Sequence, residues 1–113
     1  MTQAAFYILL ALVNQEQHGY GIMKQADRDS NNHVHLGPGT LYSTIKRLLE
    51  DDLIQESSER PDPGLDDQRR RYYRITTKGQ AALGAELNRL DHALSRARQL
   101  GAYPNHRAGF TQT

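Results

Sequence analysis

The stretch from Gly37 to Glu50, Gly-Pro-Gly-Thr-Leu-Tyr-Ser-Thr-Ile-Lys-Arg-Leu-Leu-Glu, restricts the fold of this chain more than any other segment. Pro38 suits the first turn of a helix, where its missing N–H would have no partner, and Gly37 can act as the N-cap residue. The segment therefore predicts a helix over about 38–50. At 100° per residue, one sector of this helix is apolar and should face a core, through Leu41, Ile45, Leu48 and Leu49.

The opposite face of this predicted helix carries small hydroxyl side chains near its start and basic side chains near its end. Thr40 and Ser43 come first, followed by Lys46 and Arg47. Small side chains permit close approach to the major groove of DNA, and basic side chains bond base edges and phosphates. The face is that of a recognition helix, and the alternative is an ordinary amphipathic helix with a solvated outer face.

Length and composition exclude several classes of protein. A chain of 113 residues predicts one domain, and the absence of cysteine excludes disulfides, thiolate metal sites and cysteine nucleophiles. No basic segment precedes the first apolar run, so a cytoplasmic protein is expected. That run, Ala4 to Val13, is about half as long as a bilayer span requires, so no membrane segment is expected.

A net charge of +1 hides an uneven distribution along the chain. Residues 51–67 contain seven acidic residues and one arginine, a net charge of −6, whereas residues 68–78 contain five basic and no acidic residues, a net charge of +5. A basic strip close to a candidate recognition helix is typical of a phosphate-backbone contact, although it can also be a solvated strand edge.

Two helices are predicted before residue 38. The first covers Ala4–Gln15 and is apolar on two faces, which favours packing against both its own domain and a second subunit; complete burial within one domain is the plainer alternative. His18-Gly19 interrupts the chain. A second helix is predicted over Tyr20–Asp29, and a polar, turn-rich connector follows over 30–36. The inward residues of the second helix are expected to be Ile22, Met23 and Ala26.

A change from helical to alternating periodicity after Glu50 predicts a β-wing. Residues 53–58 and 69–75 favour two short strands, and the prolines and glycine between them oppose regular pairing. Alternation on the second strand separates two faces. Tyr73 and Ile75 are expected to point inward with Arg71, and Arg70, Tyr72 and Arg74 are expected on the other face.

A long final helix is predicted from about Lys78 to Leu100, with Thr76 or Thr77 as its cap. Its apolar positions follow a heptad spacing: Leu83, Leu87, Leu90, Leu94 and Ala97. A helix of this length is about 35 Å long and exceeds what a small winged core covers, so dimerisation through this helix is expected, with Ile8 and Leu12 of the first helix beside it. The alternative is a helix folded back over its own domain.

The expected fold is therefore mainly α, in the α+β class. It consists of a winged helix-turn-helix over 1–77 with a two-stranded wing, a C-terminal dimerisation helix over 78–100, and a flexible tail over 101–113 with no assigned function.

From Ile8 to about Leu90 the sequence resembles the PadR family of bacterial winged-helix transcriptional regulators. The pieces that carry the resemblance are His18-Gly19-Tyr20-Gly21, Gly39-Thr40-Leu41-Tyr42, Arg47-Leu48-Leu49-Glu50, Leu53-Ile54, and Tyr72-Tyr73-Arg74-Ile75-Thr76-Thr77-Lys78-Gly79. The short length is similar to the compact branch of the family, which implies a dimer formed by the last helix. Each piece is weak alone, but their order and spacing make the resemblance strong.

Two positions depart from the usual family pattern. Ser43 stands where the family usually has proline, and adds a hydroxyl to the surface that faces the groove. Asp52 stands where the family usually has glycine. We expect Asp52 in a left-handed, helix-terminating conformation, which costs about 1 kcal/mol relative to glycine.

The resemblance implies a homodimeric DNA-binding regulator, most simply a repressor on an inverted repeat of double-stranded DNA. The residues expected at DNA are Thr40, Ser43 and Arg47 for bases, and Tyr20, Tyr42, Lys46, Arg70 and Arg74 for phosphates. For Tyr42, packing at the helix flank is the alternative. Related regulators often release DNA when a small molecule binds near the dimer interface, and Phe6, Tyr7 and His92 are the candidates to line such a site.

Other classes of function have less support in the sequence. A metal sensor would use His33 and His35, with no cysteine to complete a structural site. No phosphate-binding glycine loop or Gly-x-Ser-x-Gly elbow is present, so no enzyme activity, cofactor or metal is expected. A winged helix used only for protein interaction is the remaining alternative, and it predicts no DNA binding even at low salt.

Overall fold

The computed structural model describes residues 1–57 and 71–102. Within these ranges the chain forms four helices and three short strands, and the strands make an antiparallel sheet in the order β1-β3-β2. The elements are α1 (Gln3–Ala11), β1 (Gln17–His18), α2 (Gly19–Asp29), α3 (Pro38–Glu50), β2 (Ile54–Ser57), β3 (Tyr72–Ile75) and α4 (Thr77–Gln99). The chain divides into two compact units, Met1–Leu83 and Gly84–Thr113. None of the helices in the described ranges could cross a membrane.

The core lies within the first unit and collects one apolar stripe from each of α1, α2 and α3. Ile8 and Leu12 are 0% and 2% exposed, because they pack inside this core. Their predicted place in a dimer interface is therefore wrong: neither side chain has surface left for a second subunit. The outward apolar residues of α1 are instead partly buried, and they are Phe6, Tyr7 and Leu10.

The first helix ends at Ala11, four residues before the predicted end. The N–H of Val13 bonds the carbonyl of Leu10 at 3.3 Å, which tightens the last turn. The Gln17 amide then donates to the Ala11 carbonyl at 2.8 Å. Gln17 thus satisfies the open end of α1 and begins β1, which explains why the helix stops early.

The connector between α2 and α3 is more buried than its polar sequence predicted. Val34 and Leu36 enter the core, and Ser30 is buried with its hydroxyl accepting from the N–H of Val34 at 2.9 Å. Asn31 and Asn32 adopt φ values of 55° and 66°, in the left-handed region that asparagine tolerates. These two residues turn the chain so that the apolar residues after them can pack inward.

The end of α3 confirms the expectation for Asp52, whose φ is 61°. The N–H of Asp52 bonds the Leu49 carbonyl at 3.1 Å, and the N–H of Leu53 bonds the Leu48 carbonyl at 2.9 Å. This pair of bonds is the Schellman arrangement that satisfies the last carbonyls of a helix. The predicted helix bounds, 38–50, are those of α3.

The sheet has one strand more than predicted, and the additional strand covers Tyr72. Gln17 pairs with Tyr73 and His18 pairs with Tyr72, which makes β3 the central strand. The register places Tyr72 on the same face as Arg74, as predicted, and Tyr72 is buried there because the His18 ring packs edge-on against it at 5.2 Å. Tyr73 is buried as predicted, and Ile75 is partly buried against the core.

The start of α4 is held tightly to the end of α3. The Thr76 hydroxyl donates to the Asp52 carbonyl at 2.7 Å and accepts from the N–H of Gly79 at 2.9 Å, which confirms Thr76 as the cap. Leu83 is buried in the core of the first unit. Further along the helix, Leu87 and Leu90 are 43% and 41% exposed.

Candidate nucleic-acid interface

The outer face of α3 presents polar side chains to solvent, of which four are hydroxyl or basic side chains suited to DNA and one, Glu50, is acidic. Thr40, Ser43, Lys46 and Arg47 are all exposed, whereas Leu41, Ile45 and Leu48 anchor the opposite side in the core. The anchored stripe fixes the rotation of the helix about its axis, so the four polar side chains share one outward surface. We call these four residues the recognition face.

The Ser43 hydroxyl has a defined orientation on the recognition face. It donates to the Thr40 carbonyl one turn earlier, at 3.2 Å. Because its proton is used within the helix, the oxygen is left with its two lone pairs, which accept hydrogen bonds. Ser43 is therefore arranged as a hydrogen-bond acceptor on this surface.

Tyr42 combines the two roles considered for it from the sequence. Its side chain is more than half exposed, and yet its ring lies against Gly19 at the start of α2. A Cβ atom at Gly19 would collide with the Tyr42 hydroxyl. Tyr42 therefore packs α3 against α2 along one edge and leaves the rest of its ring accessible beside the recognition face.

Tyr20 extends the exposed surface onto the first turn of α2. Its ring stacks on His18 at 6.5 Å with 17° between the planes, and the Lys24 ammonium lies 5.8 Å from its centre. Lys24 was not singled out from the sequence, although its position one turn after Tyr20 on a helix could have indicated it. The pair places a cation and a phenol hydroxyl on the same turn.

The outer face of the sheet carries a row of polar residues that crosses all three strands. Gln55 pairs with Arg74 in the strand register, and Glu16 lies next to Arg74 on the other side because Gln17 pairs with Tyr73. The Arg74 Nη1 atom is 3.9 Å from Glu16 Oε2. Arg74 is thus exposed as expected but already has a carboxylate beside it.

The opposite face of the sheet holds a second pair of charges. Arg71 and Glu56 are 3.4 Å apart. Burial raises the pKa of the nearby Tyr73 hydroxyl, and the negative charge of Glu56 raises it further. Arg70 was also expected at DNA, and it lies outside the described residues.

The residues proposed to contact a ligand or a metal have different local environments. Phe6 and Tyr7 contact each other edge-on at 5.1 Å within the first unit, and His92 is exposed in the second unit. His33 Nδ1 lies 3.0 Å from the Ser30 carbonyl, and His35 Nδ1 lies 2.9 Å from Asp27 Oδ1. Across residues 1–57 and 71–102, no three His, Cys, Asp or Glu side chains are grouped as metal ligands.

Comparison with known proteins identifies the family. Residues 8–85 match the model of the transcriptional regulator PadR-like family. Over 103 residues the chain is 33% identical to the transcriptional regulator Rv3488 of Mycobacterium tuberculosis, a match that covers 91% of this chain and 87% of that protein.

Two solved structures share the fold. A PadR family regulator from Clostridium difficile superposes with a TM-score of 0.69 at 25% identity, over 88% of this chain and 98% of that one. A PadR-like regulator from Bacillus cereus gives a TM-score of 0.71 at 21% identity, over 88% and 92% of the two chains. The chain therefore belongs to the PadR-like family of transcriptional regulators, which are DNA-binding proteins without enzymatic activity.

Proposed function

We propose that this protein is a homodimeric repressor that binds an inverted repeat in double-stranded DNA. The observation that carries the proposal is the recognition face: four exposed polar residues on a helix whose other side is locked in the core. In a two-fold dimer, the two α3 helices enter successive major grooves about 34 Å apart. A repressor of this kind acts in the cytoplasm by occupying a promoter.

Within each half-site, Thr40, Ser43 and Arg47 read bases. Arg47 has the reach and the paired donors for the two acceptors of guanine. Ser43 has its proton engaged by the Thr40 carbonyl, so it accepts a hydrogen bond from the amino group of cytosine or adenine. Ser43 therefore adds a base preference at a position where proline could accept nothing.

Phosphate contacts surround these base contacts. Lys46 lies on the recognition face, and the side chains of Tyr20 on α2 and Tyr42 on α3 are each more than half exposed. Arg74 contributes from the sheet, and Arg70, outside the described residues, is proposed for the same role. Such contacts set the orientation and the salt dependence of binding rather than its sequence preference.

The second copy of the chain packs along α4. Leu87 and Leu90 are large apolar side chains that remain over 40% exposed in the single chain. Leu94 and Ala97 continue the heptad spacing of a helix seam, whereas Leu83, which was also predicted in the seam, is 4% exposed in the core of the first unit. Burial of a fully exposed leucine contributes about 1.5–3 kcal/mol, so burial of the exposed two fifths of each contributes roughly 0.6–1.2 kcal/mol and favours association through this helix.

Release of DNA by a small molecule is the last part of the proposal. A cleft of about 330 Å³ lies between α1 and α3, with an apolar floor that includes Ala5 and Leu48 and with Ser43, Thr44 and Arg47 at its wall. A volume of this size is in the range of small-molecule sites. A ligand there would occupy two residues of the recognition face, so we expect compounds that displace DNA to lose their effect in Thr44→Phe, which fills the cleft. Equal displacement from this variant would place the effector elsewhere.

Fluorescence anisotropy tests the DNA-binding part directly. The protein is titrated into a labelled duplex from its own upstream region and into a scrambled duplex, at 50 and 200 mM salt. We expect a preference of about a hundredfold or more for the native duplex, with affinity that falls steeply with salt. Arg47→Ala should lower the preference by about tenfold or more, and Ser43→Ala by a smaller factor.

Arg28→Ala is the matched control. Arg28 is an exposed arginine near the C-terminal end of α2, and it bonds Gln25. Its loss removes the same charge as Arg47→Ala and should leave the preference unchanged. Weak and equal binding to both duplexes would contradict sequence-specific repression, and no binding at 50 mM salt would favour a protein-interaction module.

A further inference from the structure

The polar row on the outer face of the sheet contains Arg74, which lies between Gln55 and Glu16. The Arg74 side chain is 53% exposed, so it reaches solvent and remains open to a third group. Gln55 of β2 lies beside Arg74, and with its amide oxygen turned towards Arg74 it can accept from Nε at 2.7 Å and from Nη2. In this orientation, Gln55 holds one edge of the guanidinium on the sheet.

The other edge of the Arg74 guanidinium, formed by its two Nη atoms, remains available to bind a phosphate in a paired fashion. Glu16 Oε2 lies 3.9 Å from Nη1 at this edge, beyond the range of a hydrogen bond. The carboxylate is fixed there because the Ser57 hydroxyl donates to Glu16 Oε1 at 2.8 Å. Glu16 therefore stands where a phosphate would approach and is not tightly bonded to the arginine.

We propose that Glu16 competes with a DNA phosphate for Arg74 and thereby sets the absolute affinity of this regulator for DNA. The proposal rests on the proposed function, in which Arg74 is a backbone contact. In the free protein the carboxylate neutralises Arg74 on the outer face of the sheet. On binding, the phosphate takes the Nη edge, and Glu16 remains as a negative charge close to the phosphate.

Two consequences follow from this competition. Arg74 contributes less than a full phosphate contact, because its charge is partly cancelled before DNA arrives. The effect is independent of base sequence, since phosphates carry no sequence information. Glu16 therefore lowers affinity for all duplexes by a similar factor and leaves the preference for the operator unchanged.

The test is Glu16→Gln, measured by anisotropy on native and scrambled duplexes from 50 to 200 mM salt. Glutamine keeps an oxygen for the Ser57 hydroxyl and removes only the charge. We expect tighter binding to both duplexes by about two- to fivefold at 50 mM salt, the range of an exposed ion pair. The loss of affinity between 50 and 200 mM should grow by up to about 3.5-fold, the amount for one additional phosphate contact.

Two further variants make the result specific. Asp29→Asn removes a negative charge at the far end of α2 while keeping an oxygen for the Gln25 amide, so it should change affinity little. In the Arg74→Ala background, Glu16→Gln should lose most of its effect. The proposal would be overturned if Asp29→Asn gave an equal gain in affinity, or if Glu16→Gln gave its full gain in the Arg74→Ala background. Either result would attribute the effect to the net charge of the protein.

The outcomes separate this proposal from the function on which it rests. Specific binding by the parent protein with no change in Glu16→Gln refutes the competition alone. Weaker binding by Glu16→Gln also refutes it, because Glu16 would then position Arg74 for DNA instead of competing for it. Absence of binding by the parent protein at 50 mM salt refutes the proposed function itself.

Discussion

Replacement of Gly79 by alanine tests how closely α4 approaches the end of α3. A Cβ atom at this position would collide with the Leu53 carbonyl oxygen, and it would lie 2.8 Å from Ile75 Cγ1. The obstacle at Leu53 is backbone, so it cannot rotate away as a long side chain could. The first turn of α4 must therefore move outward, away from the residues that hold it.

The cost of that movement follows from the contacts it breaks. The N–H of Thr76 bonds the Leu53 carbonyl at 3.1 Å, and the Thr76 hydroxyl bonds the Asp52 carbonyl at 2.7 Å. Overpacking costs about 1–3 kcal/mol, and each weakened hydrogen bond costs about 0.5–1.5 kcal/mol. Alanine is favoured over glycine within a helix, and this preference offsets up to about 1 kcal/mol of the cost. We expect Gly79→Ala to lower the free energy of unfolding by about 2–4 kcal/mol.

Gly84→Ala is the matched control, five residues later in the same helix. No heavy atom of its surroundings lies within 4 Å of a Cβ built at Gly84. The same chemical change should therefore raise the free energy of unfolding by up to about 1 kcal/mol. Urea denaturation followed by circular dichroism measures both variants. Equal or higher stability of Gly79→Ala would refute the reasoning, because it would mean that α4 does not need this close approach.

Three further predictions address the helix end, the dimer and the buried phenol. Asp52→Gly should raise the free energy of unfolding by about 1 kcal/mol, since φ at this position is 61°; an unchanged urea midpoint would contradict this. Replacing Leu87 and Leu90 together by aspartate should yield monomers in sedimentation equilibrium with unchanged helix content, because burial of the exposed two fifths of four leucines per dimer contributes on the order of 2–5 kcal/mol and the aspartates would place four charges in the interface. If the variant remained dimeric, the prediction that α4 forms the dimer interface would be contradicted. The pKa of Tyr73 is raised by burial, so its contribution to stability is complete below pH about 10 and is lost as pH rises further. Tyr73→Phe should therefore lose less stability between pH 9 and 11 than the parent protein, and identical pH profiles would contradict the burial of this hydroxyl.

Local signals in the sequence were sufficient for the elements that local chemistry determines. Pro38 marks the start of α3, and the left-handed Asp52 marks its end, because both positions are decided by backbone conformation within one turn. Thr76 was identified as one of two possible caps for the same reason. The recognition face could be predicted from the apolar stripe alone, since burial of one side of a helix leaves the opposite side exposed to solvent.

Features that depend on pairing between distant segments could not be predicted from local signals in the sequence. The strand Gln17–His18 has two residues and no β-branched or aromatic signal, and it exists because β3 provides a partner. Without this strand, the burial of Tyr72 was not predicted and α1 was extended past Ala11. The neighbourhood of Glu16 and Arg74 has the same origin, because 57 residues of sequence separate two side chains that the strand register brings together.

The dipeptide His18-Gly19 contacts the sheet and both helices of the helix-turn-helix. His18 Nδ1 accepts from the N–H of Gly21 at 3.1 Å and caps α2, while its ring packs against Tyr72 of β3. Gly19 then leaves room for the Tyr42 ring of α3. A side chain at Gly19 would displace the Tyr42 ring, because it would overlap the hydroxyl end of that ring. We therefore expect the packing of α2 against α3 at this point, and with it the position of Tyr42 beside the recognition face, to depend on Gly19.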